Sequence, residues 1–225
     1  MKLRLQFYLA AGAVAFICCG CFSVELQTRV NRKGGGTRTV GIVMDPVMAG
    51  MYNRTAGSDK LFKIPGQGLL EKPGVQLTGE AKTELDDGSL KLTRNYRTGR
   101  MELFSDGNDS IRFKITRSGL WVYYEYLESI SASKPEPGSP DSGQDIYRIR
   151  HELFMPGQIV SHNSDSAQFG SLIWNRPLGQ VTASGLAMKA ISRELNPLYL
   201  LFAAVLLAAG GGCLYWYKVR PANIS

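Results

Sequence analysis

The sequence predicts an α+β domain that is mainly antiparallel β and sandwich-like, lies outside the cytoplasm and is followed by one C-terminal transmembrane helix. Three observations lead to this prediction: an apolar segment at each end of the chain, repeated apolar/polar alternation between them, and glycine or proline turns separating the alternating segments. Of the 225 residues, 44% are hydrophobic and 20% are charged, which excludes a disordered or collagenous chain.

Residues 1–21 have the layout of an export signal. Two basic residues precede an apolar run over 7–19, which is too short to span a bilayer, and small residues follow as far as Cys21. Gly20-Cys21 also fits the acceptor position of a bacterial lipoprotein signal, although cysteines stand where such signals usually have an aliphatic and a small residue. Acylation of Cys21, plain cleavage after Gly20 and an uncleaved signal anchor all stay open.

The C-terminal segment 196–217 is predicted to be a transmembrane helix. Leu195 to Tyr217 contains no charge, and Pro197 suits the first turn of a helix. Lys218 and Arg220 follow at once, so the tail 218–225 should be cytoplasmic. Residues 22–195 are then an extracytoplasmic domain on a cell membrane, held by a single-pass anchor with almost no linker.

Within the domain, strands are predicted in order along the chain. Alternation over 24–44 around a Gly-rich turn predicts a hairpin, and 75–85 with 90–96 around Asp87-Gly88 predicts another. Residues 45–73 are broken by glycine and proline and leave room for only a short helix, and the Pro/Ser/Gly stretch 131–144 should be a loop. The other predicted strands lie near 111–115, 120–127, 146–154, 159–160, 172–174 and 186–191. No long amphipathic helix is predicted before residue 195.

Charge and cysteine content exclude several partners. The formal net charge is +7, but four cations lie outside the apolar ends, which leaves 22 basic and 19 acidic residues, or +3, in the middle. We therefore expect no nucleic-acid partner. All four cysteines (Cys18, Cys19, Cys21 and Cys213) lie at or beyond the ends, so the domain should have neither disulfides nor thiolate zinc sites.

Arg112, Lys114, Arg148 and Arg150 alternate outward from strands with apolar opposite faces. If these strands are neighbours, the four cations form a basic face for anionic lipid head groups. The alternative is an ordinary solvated face neutralised by nearby acids.

Catalytic motifs are not found in the sequence. It contains no nucleophile elbow, Walker loop, His-Glu-x-x-His or dinucleotide fingerprint. A metal pair of His151 and His162, with Asp165 close to the second, is less favoured than one core and one surface histidine. We expect no enzyme, no cofactor and no metal.

The segment Met155-Pro156-Gly157-Gln158-Ile159-Val160-Ser161-His162-Asn163, followed by Ile173-Trp174 and a last strand before an apolar helix, resembles the LppM-type bacterial envelope domain. The resemblance implies an export signal, a β-rich domain, a C-terminal helix and an envelope role, without naming a reaction. In physical terms, Pro156 and Gly157 should end a strand, Asn163 should cap a turn and Trp174 should anchor the core.

These observations together predict a non-catalytic, membrane-anchored envelope domain that binds lipid head groups or an envelope protein partner. The alternatives are a structural or assembly subunit of an envelope complex and an enzyme whose site leaves no linear trace.

Overall fold

A computed structural model describes residues 22–54, 67–106, 109–132 and 148–219. The predicted signal with Cys21, most of the 131–144 loop and the last six residues of the chain lie outside the described residues. The described part forms two β-sheets packed face to face, which confirms the prediction of a mainly antiparallel β sandwich.

The larger sheet has seven strands in the order β3-β4-β2-β1-β7-β10-β9. All neighbours in it pair antiparallel except β1 and β7, which run parallel with Ser23 beside Arg148 and Arg29 beside Phe154. The strands are β1 (Phe22–Val30), β2 (Gly36–Met44), β3 (Val75–Glu84), β4 (Leu90–Thr98), β7 (Arg148–Phe154), β9 (Ser166–Gln168) and β10 (Ser171–Pro177).

The smaller sheet has four antiparallel strands in the order β5-β6-β11-β8. They are β5 (Asp109–Ser118), β6 (Trp121–Ile130), β8 (Gln158–His162) and β11 (Leu186–Leu195). β11 has a bulge opposite β8, between Ile191 and Ser192.

The core fills the space between the sheets because alternate residues of most long strands point inward, whereas the edge strand β3 is largely exposed. Its largest fully buried side chains include Trp174, Tyr96, Tyr126 and Phe104. Contacts along β1 show how the sheets align. Val24 packs in a cluster with Ile130 and Leu186, whereas Arg32, just after β1, reaches Glu194 near the end of β11.

Three α-helices, α1 (Pro46–Arg54), α2 (Leu178–Ser184) and α3 (Pro197–Val219), and two short 3₁₀ helices (Gln67–Glu71 and Met101–Phe104) complete the described chain. α1 is the short helix for which the 45–73 stretch leaves room, and α2 and β9 were not predicted. α3 runs for 23 residues. Among the described residues, however, no helix combines the length and apolarity needed to cross a membrane, so the single-pass topology stays a prediction.

Candidate functional site

Helix α3 leaves the domain directly from strand β11. Leu195 still pairs with Trp121, the Asn196 amide donates to the Leu120 carbonyl at 2.8 Å, and the Asn196 side chain accepts from the Leu198 amide at 3.1 Å. Only Asn196 lies between the strand and the helix. The apolar side chains of α3 project away from the domain, with Leu198 68% exposed and Leu207 77% exposed. We call the end of the sandwich from which α3 leaves the α3 end, and the opposite end the distal end.

The β1–β2 turn is fixed at the α3 end. The Asn31 side chain accepts from the amides of Lys33 at 2.8 Å and Gly35 at 3.1 Å, which closes the turn. Arg32 Nε lies 2.8 Å from Glu194 Oε2, and the Tyr124 hydroxyl donates to Glu194 Oε1 at 2.5 Å. Burial and this hydrogen bond raise the pKa of Tyr124 to about 12. The turn is thus tied to the residues just before α3.

Basic side chains cluster at the α3 end. The Arg193 guanidinium lies 4.4 Å from the centre of the Trp121 ring, and the Arg29 guanidinium lies 3.9 Å from that of Phe154. The acids Glu194 and Glu102 at this end each lie within 4.0 Å of an arginine. The cations are Arg29, Arg32, Lys33, Arg97, Arg100, Arg117 and Arg193.

Two further turns meet at the α3 end. Between β7 and β8, Gly157 has φ +75°, and a Cβ there would lie 2.4 Å from the Arg193 carbonyl oxygen, so only glycine fits. The Pro156 carbonyl accepts from the Ser192 hydroxyl at 2.6 Å. Between β9 and β10, Phe169 is fully exposed and has φ +46°, which is unusual for an aromatic residue.

Asn163 and Trp174, both from the segment that resembles the LppM-type domain, join the two sheets. The Asn163 side chain donates to the Ala187 carbonyl and accepts from the Lys189 amide, both at 2.8 Å, and also accepts from the buried Trp174 indole at 3.2 Å. Asn163 follows β8 of the small sheet and Trp174 lies on β10 of the large one. Both residues hold the fold together.

The structure does not bring the predicted lipid-binding cations together. Arg112 and Lys114 lie on β5 of the small sheet, whereas Arg148 and Arg150 lie on β7 of the large sheet. All four point outward, so the two pairs lie on opposite faces of the sandwich. Local period-two alternation shows that a residue points outward but not which sheet its strand joins. The predicted single basic face is therefore wrong.

Arg150 is also neutralised by its neighbours. It lines a surface depression of about 340 Å³ on the large sheet together with Glu25 and Glu152. Lys91 lies 2.6 Å from Glu25 in the same depression, and the Gln27 amide donates to Glu152 at 3.2 Å. Cations and acids alternate across this face, so it has no net basic character.

A buried charge network joins the two sheets. Arg38 of β2 donates to Glu128 of β6 in a short contact and to Asp109 of β5 at 3.2 Å, and its Nε donates to the Thr28 hydroxyl at 3.2 Å. The Tyr126 hydroxyl also donates to Glu128 in a short contact. The side chains of Arg38 and Glu128 are only 4% and 0% exposed, so this ion pair has lost its contact with water.

His151 of β7 completes the network. Its Nε2 lies 3.0 Å from the Thr28 hydroxyl and its Nδ1 lies 3.4 Å from Glu128 Oε2. Burial lowers the pKa of His151 to about 4, so the ring is neutral near pH 7. Thr28 can accept from Arg38 and donate to Nε2, which leaves the ring proton on Nδ1, facing Glu128.

The two carboxyl groups around Arg38 differ in protonation. Burial opposes ionisation of both, but contact with Arg38 outweighs it at Glu128 and lowers the pKa of that group to about 2. At Asp109, burial and the Glu128 charge raise the pKa to about 8. Near neutral pH the network therefore contains one cation, one anion and one neutral acid.

Sequence reasoning missed this network, although a signal was present. Arg38 falls on the same side of β2 as Val40 and Ile42, and Glu128 falls on the same side of β6 as Tyr124 and Tyr126. Charges of opposite sign at inward positions of two strands indicate a buried pair. The network lies between the two sheets, with the Arg38 and Glu128 side chains almost fully buried, so the geometry indicates a structural role.

The two histidines lie on different sheets. His151 is buried on β7, whereas His162 is exposed at the end of β8, where its Nδ1 lies 2.8 Å from the Ser164 hydroxyl. Asp165 contacts Arg176 at 2.5 Å instead of a histidine. Among the described residues, no three metal-ligating side chains lie close enough together to hold an ion.

No family model and no curated protein match the chain. Among solved structures, the chain is similar to the NMR structure of the folded domain of Mycobacterium tuberculosis LppM. The identity is 14% over 78% of this chain and 91% of that chain, with a TM-score of 0.41.

Proposed function

We propose that this chain is a non-catalytic envelope domain, held by α3 on the outer surface of a cell membrane, where it contacts anionic lipid head groups. One observation supports this proposal above the others: α3 follows β11 after a single residue and exposes its apolar side chains. A helix with apolar side chains on every described face is stable where lipid surrounds it.

The sequence of α3 fits this position. The 23 residues of the helix include no charge before Lys218 and place Tyr199 and Tyr215 near its two ends, where interfacial aromatic residues are expected. With only Asn196 between strand and helix, the domain has no spacer with which to leave the bilayer. Any ligand it binds must then lie on the membrane surface or close to it.

The charge at the α3 end supports the proposed head-group contact. Seven cations lie at the α3 end, where Glu194 and Glu102 are each next to an arginine. Each basic residue near an anionic bilayer contributes about 1 kcal/mol to attraction. This cluster takes the place of the Arg112, Lys114, Arg148 and Arg150 face as our proposed lipid contact.

Membrane fractionation with protease treatment tests the anchor. We expect the full chain, expressed in bacteria with a C-terminal tag, to stay with membranes after alkaline carbonate extraction. Protease added outside spheroplasts should digest the domain and spare the tag. The double variant Leu201→Arg with Val205→Arg should be released, whereas Leu201→Ala with Val205→Ala should stay bound. Carbonate release of the unaltered chain, or a domain protected from external protease, would overturn the proposal.

Crosslinking separates this function from an assembly role. If the domain is a subunit of an envelope complex, mild crosslinking in membranes should recover one protein in constant proportion to it. A lipid-contacting domain should instead give crosslinks to photoactivatable phospholipid.

A further inference from the structure

We propose that the domain stands end-on on the bilayer, with the α3 end inserted among anionic head groups. The contact surface consists of Leu120, Trp121 and Phe169 with the cations Arg32, Arg117 and Arg193. This inference rests on the proposed anchoring by α3 and adds to it the surface of contact and the orientation.

Three turns reach the same level as the base of α3. The β5–β6 turn does so through Leu120, whose carbonyl accepts from Asn196, and the β1–β2 turn does so through Arg32. The β9–β10 turn follows from strand register, because Ser171 pairs with Phe154, which lies beside Arg29 in β1. Phe169 precedes Ser171 by two residues and therefore lies farther toward the α3 end than Ser171. The β1–β2 turn lies farther toward that end than Arg29 in the same way.

These turns expose apolar side chains where a soluble domain has little use for them. Leu120 is 57% exposed, Leu195 is 46% exposed and Phe169 is fully exposed. Phe169 holds this position with a left-handed backbone, which an aromatic residue seldom adopts. Trp121 adds an aromatic ring of the kind found at membrane interfaces, with the Arg193 guanidinium against it.

The exposed acids of the distal β3–β4 hairpin favour the same orientation. Glu84 ends β3 and Asp86 and Asp87 lie in the turn after it, all exposed, whereas seven cations lie at the α3 end. β1 separates the two ends by roughly 26 Å, taking about 3.3 Å for each step from the first to the last of its nine residues. An anionic surface attracts the α3 end and repels the distal turn.

Charge also identifies the occupant of this surface. Cations next to apolar residues match a bilayer interface, in which phosphates lie just outside the acyl chains. Because α3 begins directly beside Leu120, the proposed anchoring places lipid against this surface.

Tryptophan quenching tests this contact in the full chain. Trp216→Phe leaves Trp121 at the contact surface and Trp174 in the core, where it is 1% exposed and serves as an internal reference. The protein is placed in lipid nanodiscs containing phosphatidylglycerol, or phosphatidylcholine alone, with bromine near the glycerol or near the end of the acyl chain. We expect Trp121 to be quenched by bromine near the glycerol, and more strongly with phosphatidylglycerol.

Matched variants assign the contact to named residues. Arg117→Gln should lower the ratio of bilayer-attached to detached domain, as reported by Trp121 quenching, about fivefold. Arg112→Gln, on the same strand and also exposed, should leave this ratio unchanged. Phe169→Asn, which tolerates the left-handed backbone, should reduce quenching, whereas Leu85→Asn at the distal end should not.

The outcomes separate this inference from the proposed function. A chain that fails to enter nanodiscs overturns the anchoring itself. A chain that enters them but leaves Trp121 unquenched overturns only the end-on contact. Equal losses in Arg117→Gln and Arg112→Gln would also overturn the contact, as would crosslinking of Phe169 to a single protein in place of lipid.

Discussion

Replacing Arg38 with methionine tests whether the buried network stabilises the sandwich. The substitution removes hydrogen bonds to Thr28, Asp109 and Glu128 and keeps most of the side-chain volume. Glu128, whose side chain is 0% exposed, is left as a buried carboxylate without its cation. Breaking a buried pair in this way costs about 3–5 kcal/mol, and we expect the upper half of this range because Arg38 bonds to both sheets.

A double-mutant cycle isolates the charge contribution. Adding Glu128→Gln to Arg38→Met removes the stranded charge and keeps an acceptor for the Tyr126 hydroxyl. We therefore expect the double variant to be more stable than Arg38→Met alone by about 1–3 kcal/mol. Arg112→Met, at an exposed position, should change stability by less than about 0.5 kcal/mol.

Urea unfolding of the full chain in mild detergent, followed by far-ultraviolet circular dichroism, measures these free energies. The slope m should stay constant across the variants, because a change in m would report a different unfolded or native state. If Arg38→Met costs less than about 1 kcal/mol, or the two substitutions are additive within about 0.5 kcal/mol, the stabilising role of the network is refuted.

Three further predictions follow. The pKa of Asp109 is higher in the folded chain than its ordinary 3.8, so its contribution to stability is full below that value and is lost as pH rises to about 8. Asp109→Asn should therefore gain stability relative to the unaltered chain over this interval, as urea midpoints at several pH values would show, and a constant difference would contradict the assignment. Gly157→Ala should lower the free energy of unfolding by more than about 2 kcal/mol. Gly170→Ala should lower it less, because Gly170 also has a positive φ of +83° but has no atom within 4 Å of the Cβ position. Equal changes in thermal midpoint for the two variants would contradict the role of the close approach to Arg193. Cys21 immediately precedes β1, which begins at the distal end, so end-on contact predicts that the mature chain has no diacylglycerol on Cys21. If intact mass spectrometry detects diacylglycerol, the result would favour a domain that lies on its side.

Local patterns predicted the strands well because each hairpin is encoded within a short segment. The alternation over 24–44 and the Asp87-Gly88 turn correspond to β1–β2 and β3–β4 as the structure has them. The parallel pairing of β1 with β7 joins residues about 125 positions apart, and no local pattern encodes it. Assigning β5 and β7 to different sheets required that pairing, which is why the predicted basic face was wrong.

The sequence did not predict the basic cluster at the α3 end, for a related reason. Its cations come from separate turns and strands, and each resembles an ordinary solvated residue on its own. Arg32 becomes informative only through Glu194, and Phe169 only through its full exposure at the tip of a turn. The inward positions of Arg38 and Glu128, by contrast, could have been read from the period-two pattern.

The most direct test of the account measures how far each end of the domain lies from the bilayer. A fluorescent donor is attached at Lys33→Cys in the β1–β2 turn, or at Asp87→Cys in the β3–β4 turn, in a full chain whose own cysteines are replaced by serine. Energy transfer to an acceptor on the lipid head groups of anionic nanodiscs gives the two distances. We predict that position 33 lies at the surface and position 87 farther out by roughly 26 Å, the length of β1. Equal distances, or a closer position 87, would contradict a domain that stands on its α3 end.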